Sequence, residues 1–239
     1  MPVHILSKAS HSKHSRGLII GSPNTGKTYL LNLITEEKVI VLSMPDEKGI
    51  KTIPDRENII PLILQAEVLP EDASLADHYH LSQEKYAAVL QTTRKILKGD
   101  YGETQILFLD GISKLYEIIM DVVSKGRYLE GRGFEDKGDY TSRLYGSAHT
   151  LMRNYFSEVY DSKGIDIIIS TCWEKIRELD ENASMDEKLS HIRNGKRVWL
   201  PALPGQMASL ATGEFDWCIR TAYTGTNICT HCIALSKAK

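Results

Sequence analysis

Short apolar segments alternate with longer amphipathic stretches along this chain. Five segments have the continuous hydrophobicity of buried strands, at residues 18–20, 38–43, 59–64, 105–110 and 165–170. Apolar residues recur at helical spacing in three stretches, at residues 82–99, 112–122 and 144–159. The alternation predicts an α/β fold with a mostly parallel sheet flanked by helices. Period-two patterns at residues 215–223 and 228–235 predict a C-terminal antiparallel hairpin.

The length and composition are those of one domain. The chain has 239 residues, of which 42% are hydrophobic and 25% charged, as in ordinary globular proteins. We expect a basic, flexible tail at residues 1–16 and a single domain at 17–239. Because no run approaches the roughly 18 apolar residues of a membrane span, and no signal peptide is recognisable, we expect a cytoplasmic protein without a membrane partner.

The cysteines are interpreted as structural residues. A chain of this size with four cysteines does not indicate a disulfide framework. Cys229 and Cys232 have a spacing that could suggest zinc, with Cys218 upstream. In a regular strand, however, residues three apart point to opposite faces, so Cys229 and Cys232 would not share one metal.

Residues 21–28 fit the phosphate-binding P-loop pattern G-x-x-x-x-G-K-[ST] at every fixed position. Glycines at both ends allow the backbone to turn, so that successive N–H groups point at phosphate oxygens. Lys27 would reach the β- and γ-phosphates, and the Thr28 hydroxyl would bind Mg²⁺. The helix expected at residues 29–33 would face the anion with its amino end. The predicted nucleotide-binding residues are Gly21, Ser22, Pro23, Asn24, Thr25, Gly26, Lys27, Thr28 and Tyr29.

Acidic and hydroxyl residues follow three other predicted strands. Asp110 ends the apolar run at residues 105–110, which is the Walker B form that delivers a carboxylate to Mg²⁺. Asp46 and Glu47 follow the strand at 38–43, and Thr171 follows the strand at 165–170. Because the carboxyl ends of parallel strands meet at one edge, we expect a catalytic group there. It comprises Lys27, Asp110, Thr171 and one of the two acids, with Glu47 preferred for its reach.

Two segments are candidates for nucleic-acid contact, and we expect them to be DNA-facing loops, at residues 124–146 and 173–197. The first interleaves glycines, bases and aromatic residues, as loops that grip single strands do. Acids dilute its charge, so a solvated insertion is an equal alternative. Since the net charge is −2, any such contact must come from local patches. The candidate DNA-binding residues are Arg127, Arg132, Arg143, Lys188, Arg193, Lys196 and Arg197.

These motifs resemble the phage-encoded, core-only RecA-like P-loop ATPases of the single-strand-annealing recombinase type, a phage nucleotide-binding protein family. The resemblance rests on residues 21–28, 105–110 and 165–171, and on the segment 201–206 followed by Phe215 and Asp216. It implies a RecA-like P-loop NTPase core that binds ATP and Mg²⁺ (through Thr28 and Asp110), with Glu47 orienting water. Gly111 stands where many P-loop ATPases have a glutamate, and Thr171-Cys172 stands where RecA has a coupling glutamine.

The resemblance further implies DNA-stimulated ATP hydrolysis, single-stranded DNA binding, and strand annealing or pairing by a homo-oligomer, a ring or a filament. A single-strand-binding protein is a possible partner, and a phage-encoded chain would act in the host cytoplasm. An alternative is an ATPase switch or loader that acts on a partner protein in DNA replication or packaging. A small-molecule kinase is the third and least favoured alternative, because no acceptor-site motif is evident.

Overall fold

The computed structural model describes residues 15–47, 49–65, 67–131, 137–161, 164–178, 193–194, 197–203, 215–224 and 227–233. Nine strands form one sheet: β1 (Ser15–Gly21), β2 (Val39–Ser43), β3 (Ile59–Ile63), β4 (Ile106–Asp110), β5 (Ile167–Glu178), β6 (Arg193–Asn194), β7 (Arg197–Pro201), β8 (Trp217–Thr224) and β9 (Asn227–Ile233). Six of them pair in parallel in the order β3-β2-β4-β5-β1-β8. The predicted mostly parallel α/β sheet is therefore confirmed.

Antiparallel pairs extend the sheet in two places. The outer half of β5 pairs with β7, which also pairs with β6. At the other end, β9 pairs with β8 in antiparallel register.

The three long helices pack on one face of the sheet. They are α1 (Leu75–Lys98), α2 (Ile112–Leu129) and α3 (Lys137–Tyr160). Alternation divides each strand between two cores, so Leu18 and Ile20 of β1 lie in the large helix-facing cluster while Ile19 lies in the smaller cluster behind the sheet. The helix expected after the P-loop is a short 3₁₀ helix (Thr28–Leu33) that covers this second face through Leu31. None of the described helices is long and apolar enough to cross a membrane.

Helix α1 begins seven residues before the predicted start at Ser82. Ser74 caps it, accepting a hydrogen bond from the Asp77 N–H at 3.2 Å, and the Asp77 carboxylate accepts one from the Ser74 N–H at 2.9 Å. This reciprocal capping box specifies a helix start. The first turns of α1 lie beyond the sheet and therefore lack an apolar stripe. For that reason the hydrophobic periodicity did not predict them.

The segment 124–146, expected to be a loop, is largely helical. Residues 124–129 complete α2 and residues 137–146 open α3, while 132–136 lie outside the described residues. Glycine lowers helix stability only by about 1 kcal/mol, and here packing of α2 against α1 and α3 outweighs that cost. Gly126, for example, contacts the ring of Tyr79 on α1.

The segment 173–197 is also not simply a loop, because residues 173–178 continue β5 as a strand. Residues 179–192 lie outside the described residues. Ser15 and Arg16 belong to β1 rather than to a tail, and the Arg16 N–H donates to the Asp216 carboxylate at 2.9 Å. The rest of the expected tail is outside the described residues.

Candidate active site

The predicted site residues meet at the carboxyl edge of the parallel strands. Strand β5 lies between β1 and β4, and Leu109 of β4 pairs with Ser170 of β5. Thr171 therefore stands between Asp110 at the end of β4 and the P-loop at the end of β1. This strand order brings Asp110 into contact with Thr171, 61 positions away in sequence, and with Thr28, 82 positions away.

Two left-handed residues shape the P-loop, Asn24 with φ of 64° and Gly26 with φ of 82°. Gly21 was expected to turn in the same way, but its φ is not positive, and it is required for close approach instead. A Cβ at Gly21 would lie 2.3 Å from the Thr221 hydroxyl and 2.5 Å from the Thr25 hydroxyl. Those two hydroxyls are hydrogen-bonded to each other at 2.8 Å, so β8 supports the loop from beneath.

The Lys27 ammonium folds back onto its own loop. Nζ donates to the carbonyl oxygens of Gly21 and Ser22 at 3.0 and 2.9 Å. Burial lowers the pKa of Lys27, and the carboxylates of Glu47 and Asp110 oppose that shift. A half-buried cation held by weak neutral acceptors is well placed to exchange them for phosphate oxygens.

Asp110 is buried and held by hydroxyl groups. Thr28 Oγ1 donates to both carboxylate oxygens at 3.1 Å, and Thr171 Oγ1 donates to Oδ1 at 2.8 Å. The Thr171 hydroxyl also accepts from the Gly111 N–H at 2.8 Å. Burial raises the pKa of Asp110, while the hydrogen bonds from Thr171 and Thr28 and the charge of Lys27 oppose the rise. Thr171 thus fixes the orientation of the acid.

The two adjacent acids after β2 point in different directions. Asp46 has a φ of 64°, and its half-exposed carboxylate pairs with Lys85 of α1 at 2.6 Å. Glu47 instead covers Gly111, where a Cβ would lie 2.6 Å from its Oε2. The Glu47 carboxylate therefore occupies the space that a side chain at position 111 would take, directly beside Asp110.

Oxygen atoms and free space beside Asp110 suit a hard cation. A Cβ at Gly49 would lie 2.6 Å from Asp110 Oδ2 and 2.8 Å from Thr28 Oγ1, so the bare glycine leaves a cradle over both atoms. Ser43 pairs with Asp110 across β2 and β4, and its buried hydroxyl has no hydrogen-bond partner among the described residues. Carboxylate and hydroxyl oxygens are ligands that Mg²⁺ accepts, so these residues fit that ion.

Sequence reasoning missed several residues of the site. Ser43 and Gly49 belong to segments of ordinary composition, and Thr221 reaches the P-loop only through the register of β8 on β1. Glu174 and Arg220 form a buried ion pair beside Ser22. No short-range sequence signal marks these residues. Of the other predicted nucleotide-binding residues, Pro23 is exposed and Tyr29 is 55% exposed beside the loop.

Of the candidate DNA-binding residues that the structure describes, two lie on the long helices and two on the strands β6 and β7. Arg127 of α2 donates to the Arg143 carbonyl at 3.2 Å and to the Ser147 hydroxyl at 3.0 Å, which ties α2 to α3. Arg143 itself is exposed on α3. Arg193 and Arg197 lie on the paired strands β6 and β7. Three further candidates, Arg132, Lys188 and Lys196, fall outside the described residues.

A protein family described as AAA domain matches residues 13–239. No curated protein sequence matches the chain. A solved structure of an ATPase from the type III secretion system of pathogenic bacteria is similar at 13% identity with a TM-score of 0.43, over 87% of this chain. This chain spans 52% of the length of that one.

Proposed function

This chain belongs to the AAA domain family and contains a P-loop ATPase domain, and we propose that it is a Mg²⁺-dependent, RecA-like recombination ATPase that binds single-stranded DNA as an oligomer. The observation that carries the proposal is the convergence of Lys27, Thr28, Asp110 and Glu47 at one sheet edge. Strand annealing or pairing is the activity that the motifs imply.

Each residue has one role in the proposed reaction. The P-loop N–H groups and Lys27 hold the phosphates, with the ammonium leaving the carbonyl oxygens of Gly21 and Ser22. Thr28 and Asp110 would hold Mg²⁺, which neutralises charge on the phosphate oxygens when bound. Glu47 orients the attacking water and accepts its proton. Asp46 does not compete for that role because it pairs with Lys85.

The helices supply a surface on the same side of the sheet as the phosphates. Helix α1 has 24 residues and would be about 36 Å long, whereas β2 and β4 have five residues each, about 17 Å. Lys85 reaches Asp46 at the carboxyl edge, so the turns before it extend past that edge. Gly126 of α2 contacts Tyr79 there, and Arg127 continues the contact to α3. We call this projection, residues 75–84, 120–131 and 137–147, the helical tip.

The helical tip combines positive and apolar side chains. Arg143 is exposed, and Tyr128 and Leu129 of α2 are 54% and 45% exposed. An exposed tyrosine and an exposed arginine on the same projection suit the stacking of unpaired bases and contact with their phosphates. The same apolar pair also favours a second candidate, an ATPase switch that loads a partner protein. In that case, Tyr128 and Leu129 would pack against the partner.

The experiment measures the ATPase rate with and without single-stranded DNA, together with DNA binding at several salt concentrations. We expect DNA to stimulate turnover, and Lys27→Ala to abolish it. Arg143→Ala should weaken DNA binding and flatten its salt dependence, by about 0.7 in the log–log slope per lost phosphate contact. Arg153→Ala is the matched control, because Arg153 is exposed on the same helix about 15 Å further along.

The outcomes separate the candidates. Turnover that persists in the Lys27 variant would refute the catalytic site. No DNA binding at low salt, with ATPase activity intact, would refute the recombination function and support the partner-protein switch. A companion variant with Arg193, Lys196 and Arg197 all changed to Ala tests the second basic segment in the same assay.

A further inference from the structure

A carboxylate from β5 lies directly against the P-loop. The Ser22 hydroxyl donates to Glu174 Oε1 at 2.8 Å, and the Glu174 side chain is only 4% exposed. Glu174 stands where β5 leaves the parallel sheet, since its register partner is Pro201 of β7. Glu174 therefore contacts Ser22, which is the first residue of the P-loop after β1.

A guanidinium meets this carboxylate from the opposite side of β1. Ile20 of β1 pairs with Cys172 of β5 on one side and with Arg220 of β8 on the other. Arg220 therefore lies across β1 from the start of the outer half of β5. Arg220 Nε donates to Glu174 Oε2 at 2.7 Å, and Nη2 donates to Oε1 at 3.3 Å. The pair is two-pronged and largely buried, with the Arg220 side chain 18% exposed.

The position of Glu174 creates a charge problem for a triphosphate. Burial lowers the pKa of Lys27. The Glu174 carboxylate is close enough to the ammonium to oppose that shift, as the carboxylates of Glu47 and Asp110 also do. A negative charge at this distance would repel phosphate oxygens, and its burial leaves little water to screen it. The positive charge of Arg220 offsets it without removing the hydrogen bond to Ser22.

We propose that Glu174 and Arg220 form a charge-balanced clamp that positions Ser22, and with it the first turn of the P-loop, for triphosphate binding. They are positioning residues that act through Ser22. Thr221, the neighbour of Arg220, supports Thr25 in the same way, so adjacent residues of β8 hold both halves of the loop. The inference rests on the proposed ATP binding and adds two residues to it.

The clamp makes predictions that depend on the sign of the charge. Arg220→Gln leaves a buried carboxylate uncompensated beside the phosphates, and we expect the Kd for ATP to rise by at least about tenfold. Glu174→Gln keeps an oxygen that accepts from Ser22 and leaves Arg220 facing the phosphates, so affinity should be retained or increased. In the double variant, neither charge remains, and the Kd should return to within about threefold of the wild type.

Equilibrium ATP binding by the full chain, measured without turnover, is the test. Arg153→Gln on the exposed face of α3 is the control for loss of one positive charge, and thermal unfolding of each nucleotide-free variant reports stability separately. A merely structural pair would lower affinity in both single variants and would not be rescued in the double variant. That pattern, or an unchanged Kd in Arg220→Gln, would overturn the clamp.

Two outcomes keep the inference distinct from the function on which it rests. A wild-type chain that binds no ATP refutes the proposed function itself. If wild-type binding is normal but Arg220→Gln does not fold, Glu174→Gln decides alone, because a Kd about tenfold higher in that variant contradicts the clamp.

Discussion

Replacing Gly111 with alanine should displace the Glu47 carboxylate from the site. Gly111 has φ of 95° and ψ of 48° and begins α2 immediately after Asp110. A Cβ at this position would lie 2.6 Å from Glu47 Oε2 and 3.2 Å from its Cδ and Cγ. The backbone at Gly111 is held by the paired strand β4 that precedes it. The end of the Glu47 side chain is therefore what moves.

The magnitude has two separate parts. A left-handed conformation costs alanine about 1–2 kcal/mol, which lowers the free energy of unfolding. Loss of the carboxylate that orients water should lower kcat by about 10²–10⁴-fold, or roughly 3–5 kcal/mol of activation free energy. The KM for ATP should change little, because the three atoms nearest to the new methyl group all belong to Glu47 and not to the P-loop.

Steady-state ATP hydrolysis by Gly111→Ala and Gly99→Ala separates these parts. Gly99 also has a left-handed φ, 83°, but a Cβ there meets nothing within 4 Å, so its variant carries the backbone cost alone. In a Glu47→Gln background, Gly111→Ala should cause no further loss of kcat, since both changes remove the same group. A kcat in Gly111→Ala equal to that in Gly99→Ala would refute the role given to Glu47.

Three further predictions concern Asp110 and its surroundings. Thr171→Val should lower the free energy of unfolding in urea by about 1–3 kcal/mol by leaving buried groups unpaired, whereas Thr171→Ser should not. Gly49→Ala should raise the Mg²⁺ concentration for half-maximal ATPase activity by about tenfold or more, since its Cβ would lie 2.6 Å from Asp110 Oδ2, while Gly146→Ala, in open space, should not. Because burial raises the pKa of Asp110 in the folded state, the stability it contributes is lost as pH rises through that pKa. Asp110→Asn should therefore unfold at higher urea than wild type near pH 7 without nucleotide, and hydrolyse no ATP.

Local patterns predicted the strands and the P-loop because their causes are local. A strand covered on both faces must be continuously apolar, so residues 38–43 and 105–110 identify themselves, and the structure places strands at Val39–Ser43 and Ile106–Asp110. The meeting of Asp110 with the P-loop also followed, because parallel strands end at a common edge. Glu47 lies beside Gly111 and Asp46 pairs with Lys85, and the choice of Glu47 as the acid that orients water stays a prediction.

The helical tip could not be predicted in this way. Periodicity detects burial against the sheet. Residues 124–131 and 137–146 lie largely past its edge, where α2 and α3 pack on each other with exposed Tyr128 and Arg143. The glycines in that segment suggested a loop because their local cost is visible in sequence, whereas the interhelical contacts that offset it are not. The Glu174–Arg220 pair was hidden for a similar reason, since it joins residues of two different strands across β1.

Three carboxylates and a guanidinium surround the Lys27 ammonium at the P-loop. Two carboxylates, of Glu47 and Asp110, face the ammonium, and a third, of Glu174, is balanced by Arg220. Lys27 itself donates to the loop carbonyl oxygens of Gly21 and Ser22. A triphosphate entering alone would add negative charge to a site where the carboxylates of Glu47 and Asp110 already lie near a single ammonium. We therefore expect a metal-bound nucleotide to bind better than the free triphosphate, and a further cation, such as a base from a neighbouring subunit of the proposed oligomer, to favour hydrolysis.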